Sequence, residues 1–339
     1  MAKQTLNVGV IGCGRIGRIH AENLATRVPG ARLAAIADVA ANAAKEAAEQ
    51  FHVAKTSGEY RELLTDPTLD AVAICSSTDT HSRIIQAAAA AGKHIFCEKP
   101  IDYDLSRIHA ALAAVDKAGV KLQIGFNRRF DPSFAKVREL VASGAVGQPH
   151  VIRITSRDPG PPPLDYIKVS GGIFLDMTIH DFDMVRFLSG SEAEEIYAVG
   201  DALVDPAIRE VGDVDTAIVT MRLKNGALAT IDNSRKAIYG YDQRVEVFGS
   251  KGSASAGNRT PDEHVLTDAS GVHGAKPLHF FLERYAESYV IEMRAFVESV
   301  LKNQTPPVAG MDGLQPVIMG LAATRSLREG RPVKLDEIA

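Results

Sequence analysis

The amino-acid sequence predicts an α/β protein in which a doubly wound parallel sheet precedes an α+β domain with a large open, mostly antiparallel sheet. Short apolar runs alternate with alanine-rich helical segments as far as residue 125, a pattern typical of a parallel sheet covered by helices. Later runs alternate apolar with polar residues and are punctuated by glycine, which favours antiparallel pairing. We therefore divide the chain into residues 1–125 and 126–339.

The composition excludes several classes of protein. The chain has 339 residues and a net charge of −4, so it offers no basic field for nucleic acid or an anionic membrane. No apolar run reaches the length that a bilayer requires, and no secretory signal is evident near the N-terminus. Three cysteines without metal-type spacing indicate neither a disulfide framework nor a metal site. We expect a cytoplasmic protein without a bound metal.

A glycine-rich turn follows the first predicted strand, Leu6 to Ile11. It reads G-x-G-x-x-G and leads directly into a helical stretch, Arg18 to Arg27. The first glycine permits a tight turn, the second lets a pyrophosphate approach the backbone, and the third allows close helix–strand packing. The N–H groups at the start of the helix then face the phosphates. The residues of the pattern are Gly12, Cys13, Gly14, Arg15, Ile16 and Gly17.

A carboxylate closes the second predicted strand, residues 32–37. Asp38 lies about 20 residues after Gly17, where an acidic side chain accepts hydrogen bonds from the adenosine ribose of a dinucleotide. The alternative is a chance glycine turn with a helix-capping aspartate. The residues that follow, from Val39 onward, include no nearby arginine to neutralise a 2′-phosphate. The sequence therefore predicts NAD as the cofactor, in preference to NADP.

The alternation of strands and helices continues through the rest of the first domain. Hydroxyl residues and a histidine follow the third predicted strand, where they can line a cofactor or cap the next helix. These residues are Ser76, Ser77, Thr78 and His81. The remaining predicted helices cover 41–51, 59–65, 81–91 and 105–118, and the remaining strands cover 70–75, 94–100 and 121–125.

A glutamate, a lysine and a proline end the fourth predicted strand. Proline disfavours helical conformations at the preceding residue, so we expect Lys99 to be extended, with its ammonium group aimed in a definite direction. The carboxyl ends of parallel strands open into the crevice where such sheets bind ligands. This placement puts Glu98 and Lys99 beside the cofactor. The alternative is a solvated lysine at a strand end.

The second domain contains a candidate acid–base pair. Asp176 and His180 are four residues apart in a predicted amphipathic helix over 173–188, and therefore share a helix face. A carboxylate one turn from an imidazole can fix its tautomer, as in general acid–base catalysis. A structural histidine on a polar face remains an alternative, as does a metal site, although a third ligand is not evident.

The rest of the second domain is predicted as strands and helices around a proline-rich loop, residues 157–163. Proline excludes regular structure from this loop. The predicted helices cover 132–143, 285–302 and 312–329, and the predicted strands cover 150–155, 195–200, 216–223, 227–234, 244–248 and 264–267.

These motifs together resemble the glucose–fructose oxidoreductase, inositol dehydrogenase and rhizopine catabolism family. The resemblance extends over nearly the whole chain. It rests on the glycine pattern with Asp38, on Glu98-Lys99-Pro100, and on Gly171-Gly172 followed by Asp176 and His180. Three further segments are similar to the inositol dehydrogenases of the family, namely residues 125–131, 156–161 and 239–244.

The resemblance implies NAD-dependent oxidation of myo-inositol to the 2-keto compound scyllo-inosose. It assigns Lys99, Asp176 and His180 as catalytic, and it implies a homotetramer. An imidazole base and a lysine that stabilises the alkoxide suit the oxidation of a secondary alcohol. The alternatives are a dehydrogenase of another inositol isomer or aldose, and a sugar-binding sensor without chemistry. Further candidates for hydrogen bonding to the polyol are Asn127, Arg157, Asp158 and Tyr241.

Overall fold

The structure is a computed structural model that describes residues 4–338, and the chain forms two compact units. The first unit comprises the chain up to Phe130 together with Glu287–Gln315. The second unit comprises Asp131–Ala286 and the segment that begins at Pro316. The sequence predicts one domain over 126–339, whereas in the structure residues 126–130 and 287–315 group with the first unit.

The first unit is built on a parallel sheet. Its strand order is β3-β2-β1-β4-β5-β6, and each neighbouring pair of these six described strands is parallel. Strands β1, β4 and β5 are nearly all apolar because both faces of the sheet are buried. The predicted doubly wound sheet is confirmed. The elements are β1 (Leu6–Ile11), α1 (Arg15–Thr26), β2 (Ala31–Ala37), α2 (Ala41–Gln50), β3 (Lys55–Ser57), α3 (Tyr60–Thr65), β4 (Ala71–Ile74), α4 (Thr78–Ala90), β5 (His94–Glu98), α5 (Leu105–Ala118) and β6 (Leu122–Gly125).

The second unit is built on a mixed sheet, and the third described sheet is a short hairpin. The strand order is β12-β11-β7-β10-β9-β8-β15, in which β7 and β10 are parallel and the other neighbours are antiparallel. The predicted mostly antiparallel sheet is confirmed. The strands are β7 (Pro149–Arg157), β8 (Ala193–Asp201), β9 (Thr216–Leu223), β10 (Leu228–Ser234), β11 (Asp242–Gly249), β12 (Gly252–Ala256), the hairpin β13 (Val265–Asp268) and β14 (Gly271–Gly274), and β15 (Val333–Lys334).

Helices follow or precede most of these strands. Within residues 4–338, no helix combines the length and the apolarity needed to cross a bilayer. The helices beyond the first sheet are α6 (Pro132–Ala142), α7 (Leu164–Ile167), α8 (Gly172–Asp176), α9 (Ile179–Ser189), α10 (Pro206–Glu210), α11 (Phe281–Arg284), α12 (Ala286–Leu301) and α13 (Gly310–Glu329).

Helix α12 belongs to the first unit because of the face that it buries. Met293, Phe296 and Val297 lie three to four positions apart, so their side chains form one apolar stripe. All three are fully buried in a core that includes Val8 of β1 and Ile36 of β2. The position of this stripe in the sequence gives no indication of which sheet it covers.

The two faces of the second sheet differ in burial. On β10, Ala229, Ile231 and Asn233 are buried, whereas the residues between them are more exposed. Helix α9 packs against β7 of this sheet. The opposite face is open and presents apolar side chains. These are Tyr197, Val199, Ile218, Leu228 and Phe248.

Candidate active site

The glycine turn after β1 fits the close approach of a ligand to the backbone. Gly12 has a φ of +97°, and a Cβ atom there would lie 2.6 Å from the carbonyl oxygen of Cys75. A Cβ atom on Gly17 would lie 1.9 Å from the carbonyl oxygen of Gly12, so packing requires both glycines. A Cβ atom on Gly14 would meet nothing within 4 Å. The second glycine therefore faces open space.

The start of helix α1 has neither a side-chain cap nor an acidic residue in its first turn. Gly14 occupies the N-cap position. The first N–H groups of a helix have no partner within the helix, and they carry its positive dipole end. Arg15 and Ile16 open this helix beside the glycine turn. The local geometry thus fits the pyrophosphate of a dinucleotide.

The carboxylate of Asp38 clamps the glycine turn. Its Oδ2 accepts a hydrogen bond from the backbone N–H of Cys13 at 2.6 Å, and its Oδ1 accepts one from Ala40 at 2.8 Å. Val39 stands between these contacts with its side chain 94% exposed. Burial, together with the Asp38 charge, raises the pKa of the Cys13 thiol to about 11, so this cysteine is neutral at physiological pH.

The residues after β4 are held by a buried histidine. Ser76 follows this strand closely, Ser77 is the N-cap of α4, and Thr78 is the first residue of α4. The Nδ1 atom of His81 lies 2.8 Å from the carbonyl oxygen of Pro100, and its Nε2 atom lies 2.9 Å from that of Ser76. The two ring nitrogens of His81 therefore lie within hydrogen-bond distance of the carboxyl ends of β4 and β5, and a neutral imidazole donates to one of the two carbonyls at a time.

The glutamate at the end of β5 lies in a buried polar cluster. His20 Nε2 of α1 lies 2.8 Å from Glu98 Oε1, and Glu292 of α12 completes a group whose ligand-type atoms are all within 4.8 Å of one another. Neither His20 nor Glu292 lies in a recognisable sequence motif, so local patterns do not predict this cluster. Lys99 follows, half-buried, and its peptide bond to Pro100 is cis.

The structure corrects the prediction of one continuous helix around the acid–base pair. Asp176 is the last residue of α8 and His180 is the second residue of α9. Between them the regular α-helical hydrogen bonds, which span four residues, are replaced first by a longer and then by a shorter one. Thr178 donates its N–H to Ile173, five residues back, and His180 donates to Met177, three residues back.

The carboxylate of Asp176 is held from two directions. Its Oδ1 accepts a hydrogen bond from the hydroxyl of Tyr166 at 2.8 Å, and its Oδ2 accepts one from Arg235 Nη1 at 3.2 Å. Tyr166 lies on α7 and Arg235 directly follows β10. His180 is half-buried four residues further along the chain. Hydrogen bonds from two different elements therefore fix the orientation of the Asp176 carboxylate.

The remaining predicted substrate residues occupy different environments. Asn127 is buried at the start of a 3₁₀ turn in the first unit. Tyr241 is buried in the second unit, with its ring centroid 6.3 Å from that of Phe280 and 6.0 Å from that of Tyr285. Asp158 directly follows β7, and its carbonyl accepts a hydrogen bond from the N–H of Ala237.

Arg157 lies on the open face of the second sheet. Its Nε donates to Asp232 at 3.1 Å, and its Nη1 donates to the hydroxyl of Tyr239 at 3.1 Å. The neighbouring Asn233, one residue after Asp232, points to the other face and donates to Asp181 of α9 at 2.9 Å. The structure therefore does not bring the Arg157 side chain to the sheet face that carries α9.

The fold and the glycine-turn geometry are those of a dinucleotide-binding protein. Residues 6–126 match the family described as "Oxidoreductase family, NAD-binding Rossmann fold", and residues 134–255 match the "GFO/IDH/MocA C-terminal domain". The chain belongs to the GFO/IDH/MocA family. The predictions of the family, of an oxidoreductase and of NAD as cofactor are confirmed.

Several curated relatives are similar over nearly their whole length. The chain is 53% identical to a myo-inositol 2-dehydrogenase of Thermotoga maritima, covering 98% of this chain and 99% of the relative. It is 44% identical to an inositol 2-dehydrogenase of Rhizobium meliloti, covering 98% and 99%. It is 39% identical to a scyllo-inositol 2-dehydrogenase (NAD(+)) of Bacillus subtilis, covering 96% and 95%.

Solved structures share the same fold. A dehydrogenase structure from Thermotoga maritima superposes with a TM-score of 0.97 at 53% identity, covering 98% of this chain and 100% of the other. A scyllo-inositol dehydrogenase from Lactobacillus casei, solved with NAD(H) and scyllo-inositol, gives a TM-score of 0.92 at 31% identity, covering 98% and 99%.

The Asp38 carboxylate leads to a prediction about cofactor choice. We expect kcat/KM with NAD to exceed that with NADP by at least about tenfold, because the carboxylate repels a 2′-phosphate. Asp38→Asn keeps one oxygen acceptor and removes the charge, so the ratio of kcat/KM with NAD to kcat/KM with NADP should fall. Glu49→Gln, at an exposed carboxylate of α2, is the control and should leave this ratio unchanged. Equal or better activity of the unaltered protein with NADP would refute this role for Asp38.

Proposed function

We propose that this protein is an inositol 2-dehydrogenase that oxidises myo-inositol to scyllo-inosose with NAD. The three curated relatives described above are each named as inositol 2-dehydrogenases, and their lengths match that of this chain. The geometric observation that carries the proposal is the Asp176 carboxylate, which accepts a hydrogen bond at each of its oxygens and lies four residues before His180. A base next to a fixed carboxylate is what the removal of a hydroxyl proton requires.

His180 is the proposed base. A neutral imidazole accepts the proton of the reacting hydroxyl efficiently, because the ordinary pKa of histidine lies close to neutral pH. Asp176 would fix which ring nitrogen carries the hydrogen and would stabilise the imidazolium that forms. Tyr166 and Arg235 limit the rotation of the Asp176 carboxylate, because each binds a different oxygen. The proton would thus move to an imidazole that is already oriented.

Lys99 is the proposed electrostatic partner of the reacting oxygen. An ammonium group beside a hydroxyl stabilises the negative charge that develops as the proton leaves. Position 99 directly follows β5, at the carboxyl edge of a parallel sheet, where ligands of such sheets bind. The local backbone is anchored by His81, which bonds the carbonyl oxygen of Pro100. Lys99 is therefore attached to a braced segment of chain.

The cofactor site is proposed from residues of the first unit. When bound, NAD would accept the hydride that leaves the alcohol carbon. Gly14 and the start of α1 would hold the pyrophosphate, and Asp38 would bind the adenosine ribose. The other residues that we assign to this site are Gly12, Cys13, Arg15, Ile16, Gly17, Val39, Ser76, Ser77, Thr78, His81, Glu98 and Lys99.

Polyol recognition requires several converging hydrogen-bonding groups. We assign this role to Asn127, Asp158 and Tyr241, in addition to the catalytic residues. Arg157 stays a candidate, although its guanidinium already binds Asp232 and Tyr239. The second candidate substrate is scyllo-inositol, because one relative is named for that isomer. Relative values of kcat/KM for the two isomers distinguish these candidates.

We propose that the protein is a cytoplasmic homotetramer. The three cysteines are free thiols, as expected in a reducing compartment. The open face of the second sheet presents apolar side chains such as Tyr197 and Phe248, and such a patch marks an interaction surface. Light scattering of the purified protein should give four times the mass of the chain. A monomer at micromolar concentration would contradict the proposal.

Removing the catalytic side chains tests the proposed mechanism. Lys99→Ala and His180→Ala should each lower kcat for myo-inositol by about 10²- to 10⁴-fold, because each group acts mainly in the transition state. Asp176→Asn should lower kcat less, since it misorients the base without deleting it. The affinity for NAD, measured by titration, should stay near that of the unaltered protein in the variants at residues 176 and 180.

Matched controls come from the exposed face of helix α5. Lys117→Ala and His109→Ala remove the same side-chain types at exposed positions, and they should leave kcat unchanged. Near-normal kcat in Lys99→Ala or His180→Ala would show that the residue is structural and would overturn its assignment here.

A further inference from the structure

The guanidinium of Arg235 is buried where the sequence analysis assigned no role. Arg235 directly follows β10 and is only 1% exposed, which makes it one of the largest fully buried side chains of the described chain. Asn233 lies two residues earlier and therefore points to the same side of the strand. Asn233 binds Thr178 at 2.6 Å and Asp181 at 2.9 Å, both at the start of α9. The end of β10 thus braces the region that carries the acid–base pair.

Arg235 interacts with a carboxylate at each end of the short helix α8. Its Nη1 donates to Asp176 Oδ2 at 3.2 Å, at the last residue of the helix. Its Nη2 lies 3.8 Å from Asp213 Oδ2. The other oxygen of Asp213 accepts the N–H of Ile173, near the start of the same helix, at 3.1 Å. Arg235 therefore connects the two carboxylates that bracket α8.

The buried charge of Arg235 is not explained by a gain in folding stability. The Nε and Nη2 atoms of Arg235 have no hydrogen-bond acceptor among the described residues. A buried ion pair often contributes less to stability than a well-packed apolar replacement would. Burial raises the pKa of Asp213, a cost that its backbone hydrogen bonds and the Arg235 charge partly offset. Incompletely satisfied charges of this kind are typical of functional sites.

We propose that Arg235 is a positioning residue for the oxidation, holding the Asp176 carboxylate in the one orientation that directs the His180 imidazole. The inference rests on the proposed function, because it assigns Arg235 to the same catalytic group. Arg235 adds to the Tyr166 contact a charge-assisted hydrogen bond on the second oxygen of Asp176, which opposes rotation of the carboxylate about its last bond.

The test is a double-mutant cycle between Arg235 and Asp176. Arg235→Gln should lower kcat for myo-inositol by roughly 10- to 100-fold, the scale of a small misplacement of a catalytic group. In the Asp176→Asn background the same change should cost less than about threefold, because no carboxylate remains to be oriented. Arg235→Lys keeps the charge and should recover part of the loss. Arg153→Gln, on the exposed face of β7, is the control and should leave kcat unchanged.

Folding is checked separately, since removing one partner of a buried pair can destabilise the protein. Urea midpoints and NAD affinity are measured for every variant. Where Arg235→Gln does not fold, the pair of changes Arg235→Gln and Asp213→Asn removes one positive and one negative charge together. The same loss of kcat is expected from this charge-balanced variant.

The outcomes separate the inference from the proposed function. Losses of kcat that are additive across the cycle, or an unchanged kcat in Arg235→Gln, would overturn the positioning role while myo-inositol oxidation stands. If the unaltered protein oxidises no inositol, the proposed function fails. The double-mutant cycle is then evaluated on the change in urea midpoint that each variant causes. Changes that are not additive would support the coupling of Arg235 to Asp176, and additive changes would overturn it.

Discussion

The structure depends on side chains that bond the carboxyl ends of neighbouring parallel strands to one another. Asp38, after β2, accepts the N–H of Cys13 in the turn after β1. The His81 ring lies between the chain after β4 and the chain after β5, with one ring nitrogen within hydrogen-bond distance of a backbone carbonyl on each side. These contacts fix the loops at the sheet edge, where parallel sheets bind their ligands. The glycine turn and the backbone at Lys99 are therefore held in place before any ligand binds.

The second unit uses the same device on a mixed sheet. Two residues on one side of the end of β10 reach the helices above it: Asn233 binds α9, and Arg235 binds the last residue of α8. The break between α8 and α9 makes this bracing necessary. A continuous helix would fix the relation between Asp176 and His180 through its own backbone, whereas two short helices depend on contacts from the sheet.

Local patterns in the sequence predict the fold class and the glycine turn, because each depends on residues close together in the chain. The role of Asp176 and His180 as an acid–base pair stays a prediction. Contacts between distant residues could not be predicted in this way. The apolar stripe around Phe296 shows that a helix is amphipathic, yet nothing local shows that it covers the first sheet. The burial of Arg235 is equally hidden, since it follows a strand of ordinary composition. The contact of Arg157 with Asp232 on the open face depends on the pairing of β7 with β10, which only the folded sheet reveals.

The central claim is that the chain oxidises a neutral inositol with NAD. The most direct test follows NADH absorbance with purified protein over a panel of inositol isomers, aldoses and their phosphates. We expect the highest kcat/KM for myo-inositol. Arg128 and Arg129 make a phosphorylated substrate chemically reasonable, because arginine suits phosphate groups. More efficient turnover of a phosphorylated sugar, or turnover of no inositol at all, would contradict the account.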